Sequence, residues 1–162
     1  MSYKKIIILG PPCVGKTTLA YLALKHKIPS FTTHQSLWDW RPKKWQKLLK
    51  EFVTYIMNLD ISLFLDAGGI DINYINQYKD KGFDIRTVLL LPPRDVYLER
   101  WRIKIEENVL RNQNGLEHYD RFKRQKSKYD LVIEDVLSPQ EIFDYIIEWN
   151  VNCSENPNGS TS

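Results

Sequence analysis

Residues Gly10, Pro11, Pro12, Cys13, Val14, Gly15, Lys16 and Thr17 spell Gly-x-x-x-x-Gly-Lys-Thr, a spacing suited to holding phosphate. Gly10 and Gly15 let the backbone turn with its N–H groups pointing inward, where they cradle phosphate oxygens. A helix beginning near Lys16 adds its positive N-terminal end. Lys16 reaches the β- and γ-phosphates of a nucleotide, the Thr17 hydroxyl can ligate Mg²⁺, and Thr18 completes the binding set. The plain alternative is a Gly-Pro turn carrying a surface lysine. The flanks favour the loop: the apolar run Ile6-Ile7-Ile8-Leu9 precedes it, and a helix-forming stretch from Thr18 to Leu24 follows.

Such a loop needs an acidic partner. Leu63-Phe64-Leu65-Asp66 is an apolar run ending in one carboxylate. An Asp at that place can hold a Mg²⁺ water or orient the attacking group. The plain alternative is a helix or turn cap near Gly68-Gly69. Asp60 precedes the run and belongs to the opposite end of any strand formed there.

These groups require a frame. Lys4–Leu9 reads as a central strand, and Thr17–His26 as its helix. Ile28–Thr32 is a weaker second strand. Pro42 opens a helix in which Trp45, Leu48, Leu49, Phe52, Val53, Ile56 and Met57 share one face. Ile61–Leu65 is a third strand ending at Asp66. Asp71 can cap a helix running through Lys81, which Gly82 ends. Ile85–Leu91 is a fourth strand, closed by Pro92-Pro93. A long helix follows from Pro93 to about Asn112. Asn114-Gly115 breaks it, and a second helical piece runs to about Lys128. Tyr129–Ile133 is the fifth strand. Ser138 as N-cap, Pro139 at the first helical position and Glu141 closing a capping box start a last helix, which buries Ile142, Phe143, Ile146 and Ile147. From Asn150 onward the chain is rich in Asn, Ser and Gly and reads as a disordered tail.

Strands alternating with helices predict an α/β domain with a parallel sheet covered on both faces. In such sheets ligands sit at the C-terminal ends of the strands. The loop after Leu9, the loop after Thr32, and Asp66 all gather at that edge. One domain over residues 1–150 and a tail over 151–162 account for the chain. At 162 residues, 43 % hydrophobic and 27 % charged, it suits a single globular core.

The net charge of +3 does not by itself imply nucleic acid. Its placement is uneven: Arg94 to Lys128 holds ten Lys or Arg against six Asp or Glu, which accounts for the whole excess. A solvated helical face and an arginine-bearing segment over phosphates are both consistent with that. Cys13 and Cys153 have no metal-ligand spacing, and a disulfide between loop and tail is not expected. The apolar run after Lys4-Lys5 is too short for a signal peptide. No stretch approaches the ~20 apolar residues of a membrane helix. A cytoplasmic location without a membrane partner is expected.

Gly-Pro-Pro-x-x-Gly-Lys-Thr resembles the phosphate loop of adenylate kinases and related small kinases. Leu63-Phe64-Leu65-Asp66-Ala67-Gly68-Gly69 is similar to their strand ending in Asp-Gly, and to the Gly-Gly stretch of shikimate kinase-like enzymes. Pro93-Arg94-Asp95-Val96-Tyr97-Leu98-Glu99-Arg100 echoes their order of strand, Pro-x-Asp and arginine-bearing helix. The resemblance covers roughly residues 4 to 149. It implies a three-layer P-loop NTPase fold with strand order 2-3-1-4-5, an acceptor-binding segment over about 33–58 and a lid over about 100–128. The chain departs from these families at two places. Gly69 and Ile70 stand where nucleoside monophosphate kinases usually carry Pro-Arg, and Thr32-Thr33-His34-Gln35 stands where shikimate kinases carry acidic residues. The lid segment is short and has no zinc-binding cysteines.

By position, the acceptor side includes His34, Trp38, Asp39, Trp40 and Arg41. Trp38 or Trp40 can stack a base and Arg41 can clamp a phosphate; Trp45 and another tryptophan fit the core as well. Asp39 is a second candidate base after Asp66. In the lid, Arg102 and Arg111 are placed to neutralise transferring charge, with Arg121 and Arg124 after them.

The expectation is an ATP- and Mg²⁺-dependent kinase acting on a small acceptor, a nucleoside or nucleotide first. A polynucleotide 5′-hydroxyl is an alternative acceptor, which the basic stretch and the tryptophans would serve as a single-strand groove. A regulatory or degenerate nucleotide-binding protein is the alternative of a different class. The absence of an Asn-Lys-x-Asp sequence argues against a GTPase.

Overall fold

The computed structural model describes residues 4–33, 45–107 and 115–155. Its elements alternate: β1 (Lys5–Leu9), α1 (Lys16–Lys25), β2 (Ser30–Thr32), α2 (Trp45–Met57), β3 (Leu63–Asp66), α3 (Ile72–Asp80), β4 (Ile85–Leu90), α4 (Arg94–Glu106), α5 (Gly115–Arg124), β5 (Leu131–Ile133) and α6 (Pro139–Glu155). The five strands form one sheet in the order β2-β3-β1-β4-β5, every neighbouring pair parallel. The helices cover both faces, as parallel sheets require.

β1 lies at the centre because all five of its residues are buried. Even Lys5 is enclosed, its ammonium donating to the Leu59 carbonyl at 3.0 Å. Ile7, Leu65, Val88 and Leu89 are fully buried and form the middle of the core. Val53 and Ile56 of α2, Ile75 of α3 and Ile146 of α6 close over it. On α2 the apolar stripe holds for Leu49, Phe52, Val53, Ile56 and Met57, whereas Leu48 is exposed.

Register places the site. Asp66 at the end of β3 pairs with Ile8 of β1 on one side and Thr32 of β2 on the other. The C-terminal ends of three adjacent strands therefore meet at one edge, beside the loop that follows β1.

Several boundaries differ from expectation. β5 begins at Leu131, not Tyr129, because the Asp130 carboxylate takes the Thr87 N–H (2.8 Å) and hydroxyl (3.1 Å), and also binds Lys79. β3 begins at Leu63, with Ile61 and Ser62 exposed before it. α4 ends at Glu106, and Gly115, expected as a break, opens α5. It does so in contact with Trp101: a Cβ on Gly115 would fall 2.4 Å from that indole. The long helix was expected to reach Asn112, and residues 108–114 lie outside the described residues. α6 continues to Glu155, past the boundary drawn at residue 150. Composition there suggests a tail, but Trp149 packs on the core, and the Ser154 hydroxyl donates to the Asn150 carbonyl and meets the Lys4 ammonium. Those contacts extend the helix where local propensity does not. At its other end the capping box forms as expected, with Glu141 N–H donating to Ser138 Oγ at 3.2 Å and Ser138 N–H to Glu141 Oε2 at 2.7 Å.

Candidate functional site

The loop after β1 is set by three positive backbone angles, φ 152° at Gly10, 67° at Cys13 and 97° at Gly15. Gly10 admits no side chain, since a Cβ would lie 2.6 Å from the Leu90 carbonyl oxygen and 2.9 Å from Val14 Cγ2. The loop is thereby pressed against the end of β4. Val14 and Pro11 are buried, Pro12 and Cys13 half-buried, so Val14 contributes its backbone to the loop and its side chain to the core. Gly15 is the N-cap of α1 in the left-handed region, with no side chain capping the helix. The first N–H groups of α1 consequently face the loop without a side-chain acceptor, the arrangement that receives an anion. Thr18 is exposed on the first turn.

Lys16 folds over the loop. Its ammonium donates to the Gly10 carbonyl at 2.9 Å and the Pro11 carbonyl at 2.8 Å. Burial pushes its pKa below the usual 10.5, while the nearby Asp66 charge pulls the other way. Burial likewise raises the Cys13 thiol, opposed by the charges of Lys16 and Lys104.

Asp66 is only 3 % exposed. Its Oδ2 accepts from the Thr17 hydroxyl at 2.9 Å and from the Thr32 hydroxyl at 2.8 Å. Its Oδ1 accepts from the Gly68 N–H at 3.2 Å. Oδ1 thus caps the Gly68 turn, while Oδ2 ties the end of β3 to the first turn of α1 and to β2. Thr33 fixes the same corner, its hydroxyl donating to the carbonyls of Asp66 (3.1 Å) and Gly68 (2.6 Å). A Cβ on Gly68 would lie 3.5 Å from Lys16 Cε, so Lys16, Asp66 and Thr33 converge on that glycine.

Among the described residues no group of three or more His, Cys, Asp or Glu gathers to hold a metal. A cation at this edge would draw on Thr17, Asp66 and oxygens from outside the protein. That donor set of hydroxyl and carboxylate oxygens fits a hard cation such as Mg²⁺.

No protein-family model matches the chain, and no curated protein sequence matches it. Solved structures do. Shikimate kinase from Aquifex aeolicus vf5 superposes with a TM-score of 0.67 at 19 % identity, over 96 % of this chain and 99 % of that one. Shikimate kinase from Acinetobacter baumannii in complex with shikimate gives 0.66 at 16 %, over 93 % and 94 %. The Bacillus subtilis YorR protein in complex with phosphorylated GDP gives 0.63 at 19 %, over 94 % and 98 %. The fold is that of the shikimate kinase-like P-loop kinases.

Within this P-loop kinase fold, the residues expected to carry the site fall into three groups. Gly10 to Thr17 and Asp66 stand together at the sheet edge. Arg102 is exposed on α4, and its guanidinium is engaged by Glu99 through Nε (3.1 Å) and Nη2 (2.7 Å), and by Glu106. Those bonds, Glu99 first, raise its pKa further. This is the solvated-face arrangement, and no hydrogen bond ties Arg102 to the loop among the described residues. Arg111 of the lid and His34, Trp38, Asp39, Trp40 and Arg41 of the acceptor side lie outside the described residues.

Two contributors were not singled out from sequence. Thr32 and Thr33 sit where strand β2 ends, and their position beside Asp66 depends on the β2–β3 register. His118 of α5 is half-buried, 3.3 Å through Nδ1 from Arg121 Nη2. Burial lowers its pKa most, followed by the Arg121 charge, with Glu117 opposing and Lys16 adding a little. No spacing pattern marks His118 in the sequence.

Proposed function

We propose that this chain is an ATP- and Mg²⁺-dependent phosphotransferase that moves the γ-phosphoryl group of ATP to a hydroxyl of a small acceptor, a nucleoside or nucleotide. The observation that carries the reading is the joining of Lys16 and Thr17 to Asp66 at the C-terminal edge of a parallel sheet, with Thr17 Oγ1 2.9 Å from Asp66 Oδ2. The small-molecule kinases that share the fold support it.

The division of labour follows from the side chains. The N–H groups of the loop and of the first turn of α1 bind phosphate oxygens. Lys16 trades its two carbonyl partners for phosphate oxygens and neutralises charge as it moves to the leaving group. Thr17 spends its one proton on Asp66, which leaves its lone pairs turned away from the carboxylate and available to a cation. Bound Mg²⁺ would supply charge neutralisation across the β- and γ-phosphates. Arg102 and Arg111 would serve the lid, Arg102 on leaving Glu99 and Glu106. Since transfer is chiefly positioning and electrostatics, the closed site also excludes water that would otherwise take the phosphoryl group. The reaction belongs in the cytoplasm, where ATP is supplied.

The test is ADP formation with Mg²⁺ and pooled acceptors: nucleosides, nucleoside monophosphates, shikimate-like and sugar hydroxyl compounds, and a 5′-hydroxyl oligonucleotide. Stimulation by the nucleoside or nucleotide pool, absent in Lys16→Ala, is the expected result. ATP bound but left intact in every pool would overturn the reading.

A further inference from the structure

A carboxylate has about four lone-pair sites, two on each oxygen. At Asp66, Thr17 and Thr32 both donate to Oδ2, at 2.9 and 2.8 Å. Gly68 N–H takes one site on Oδ1. Among the described residues Oδ2 is therefore filled, and Oδ1 keeps one open site. The carboxylate has little freedom to turn, because Asp66 is buried and its backbone is held in register between Ile8 and Thr32. Thr32 stands outside the phosphate loop, yet it supplies the shorter of the two hydroxyl bonds.

We propose that Thr32 sets how Asp66 engages the divalent cation: by filling Oδ2 together with Thr17, it leaves Oδ1 as the single oxygen that Asp66 can offer. This rests on the phosphotransferase reading above. Asp66 then meets the cation through one oxygen, directly or through a water, and does not chelate it with both. Mg²⁺ suits such a partner, because it is small, keeps several of its waters and needs only one or two carboxylate oxygens beside substrate phosphates. Ca²⁺ is larger, gathers about six to eight oxygens and gains from a bidentate carboxylate. Thr32 is thus a positioning residue that favours Mg²⁺ over Ca²⁺ through its hydrogen bond to Asp66.

The experiment measures ADP affinity of the full chain by calorimetry with Mg²⁺ or with Ca²⁺, for the wild type and for Thr32→Val, Thr32→Ala and Thr32→Ser. Valine keeps the shape and favours a strand, and Thr32 is half-buried, so the fold should survive. Alanine gives the same readout if valine unfolds the chain. The Mg²⁺-over-Ca²⁺ preference should fall about tenfold in Thr32→Val or Thr32→Ala, the size expected for one hydrogen bond to a charged group, and remain in Thr32→Ser. An unchanged preference without the hydroxyl, or a loss in Thr32→Ser equal to that in Thr32→Val, overturns the proposal and leaves the phosphotransferase reading standing. A wild type that binds ADP with neither cation overturns both.

Discussion

Thr17 Oγ1 donates to Asp66 Oδ2 across 2.9 Å, tying the first turn of α1 to the last residue of β3. The two residues are far apart in the chain and adjacent only because β1 and β3 pair in register, Ile8 against Asp66. That register presents a hydroxyl and a carboxylate on one side of the phosphate loop, with the Lys16 ammonium held over the loop by the carbonyls of Gly10 and Pro11.

Lys16→Ala should weaken nucleotide binding and reduce phosphoryl transfer by about a hundredfold or more, the scale of losing one charge-stabilising donor. Its ammonium is the cation that the loop itself encloses. Titration with ATP and steady-state rates check both parts. Wild-type turnover in the variant would remove the loop from the mechanism.

Gly10→Ala should destabilise the fold by at least about 2 kcal/mol, as overpacking does. The added Cβ would meet the Leu90 carbonyl oxygen at 2.6 Å, a backbone atom that cannot rotate aside. Chemical denaturation of the variant measures the loss. A change within error would mean that the loop does not press on β4.

Much of this arrangement was legible in the chain. A phosphate loop must place two glycines, a lysine and a hydroxyl at fixed spacing, so Gly10 to Thr17 stand out wherever a strand and helix flank them. Asp66 is marked by its apolar run. Arg102 had its partners in plain view, since Glu99 and Glu106 lie three and four residues away on one helix and meet it there. Thr32 and Thr33 were visible only as a departure from a family pattern. Their bonds to Asp66 and Gly68 depend on a long-range strand pairing that no local spacing encodes. The start of β5 eluded the pattern for a similar reason, because the Asp130 side chain takes the Thr87 N–H. The end of α6 depends on packing by Trp149, which composition does not report.

His118 predicts an acid-side slope in stability. Burial, then the Arg121 charge, holds its folded pKa below the ordinary 6.5. Between the folded value and the unfolded value near 6.5 the unfolded chain binds more protons, so stability rises with pH across that window and falls on acidification through it. His118→Gln cannot take up that proton and should show a shallower decline. Thermal midpoints of the two proteins from neutral to mildly acidic pH decide it, and parallel curves would contradict the assignment.

Ser138→Ala should cost about 1 kcal/mol, the usual loss of an N-cap. Both bonds of its capping box with Glu141 are formed at the head of α6, which packs on the core through Phe143 and Ile146. Equilibrium unfolding of the variant measures this. An unchanged midpoint would mean that α6 is held by packing alone.

Asp66→Asn tests the central claim most directly. Asparagine keeps the size and an oxygen acceptor but removes the charge. Transfer from ATP to the acceptor, followed in a single turnover, should fall about a hundredfold or more while the ATP dissociation constant moves far less. A transfer rate equal to that of the wild type would contradict the account and leave Asp66 as the cap of the Gly68 turn.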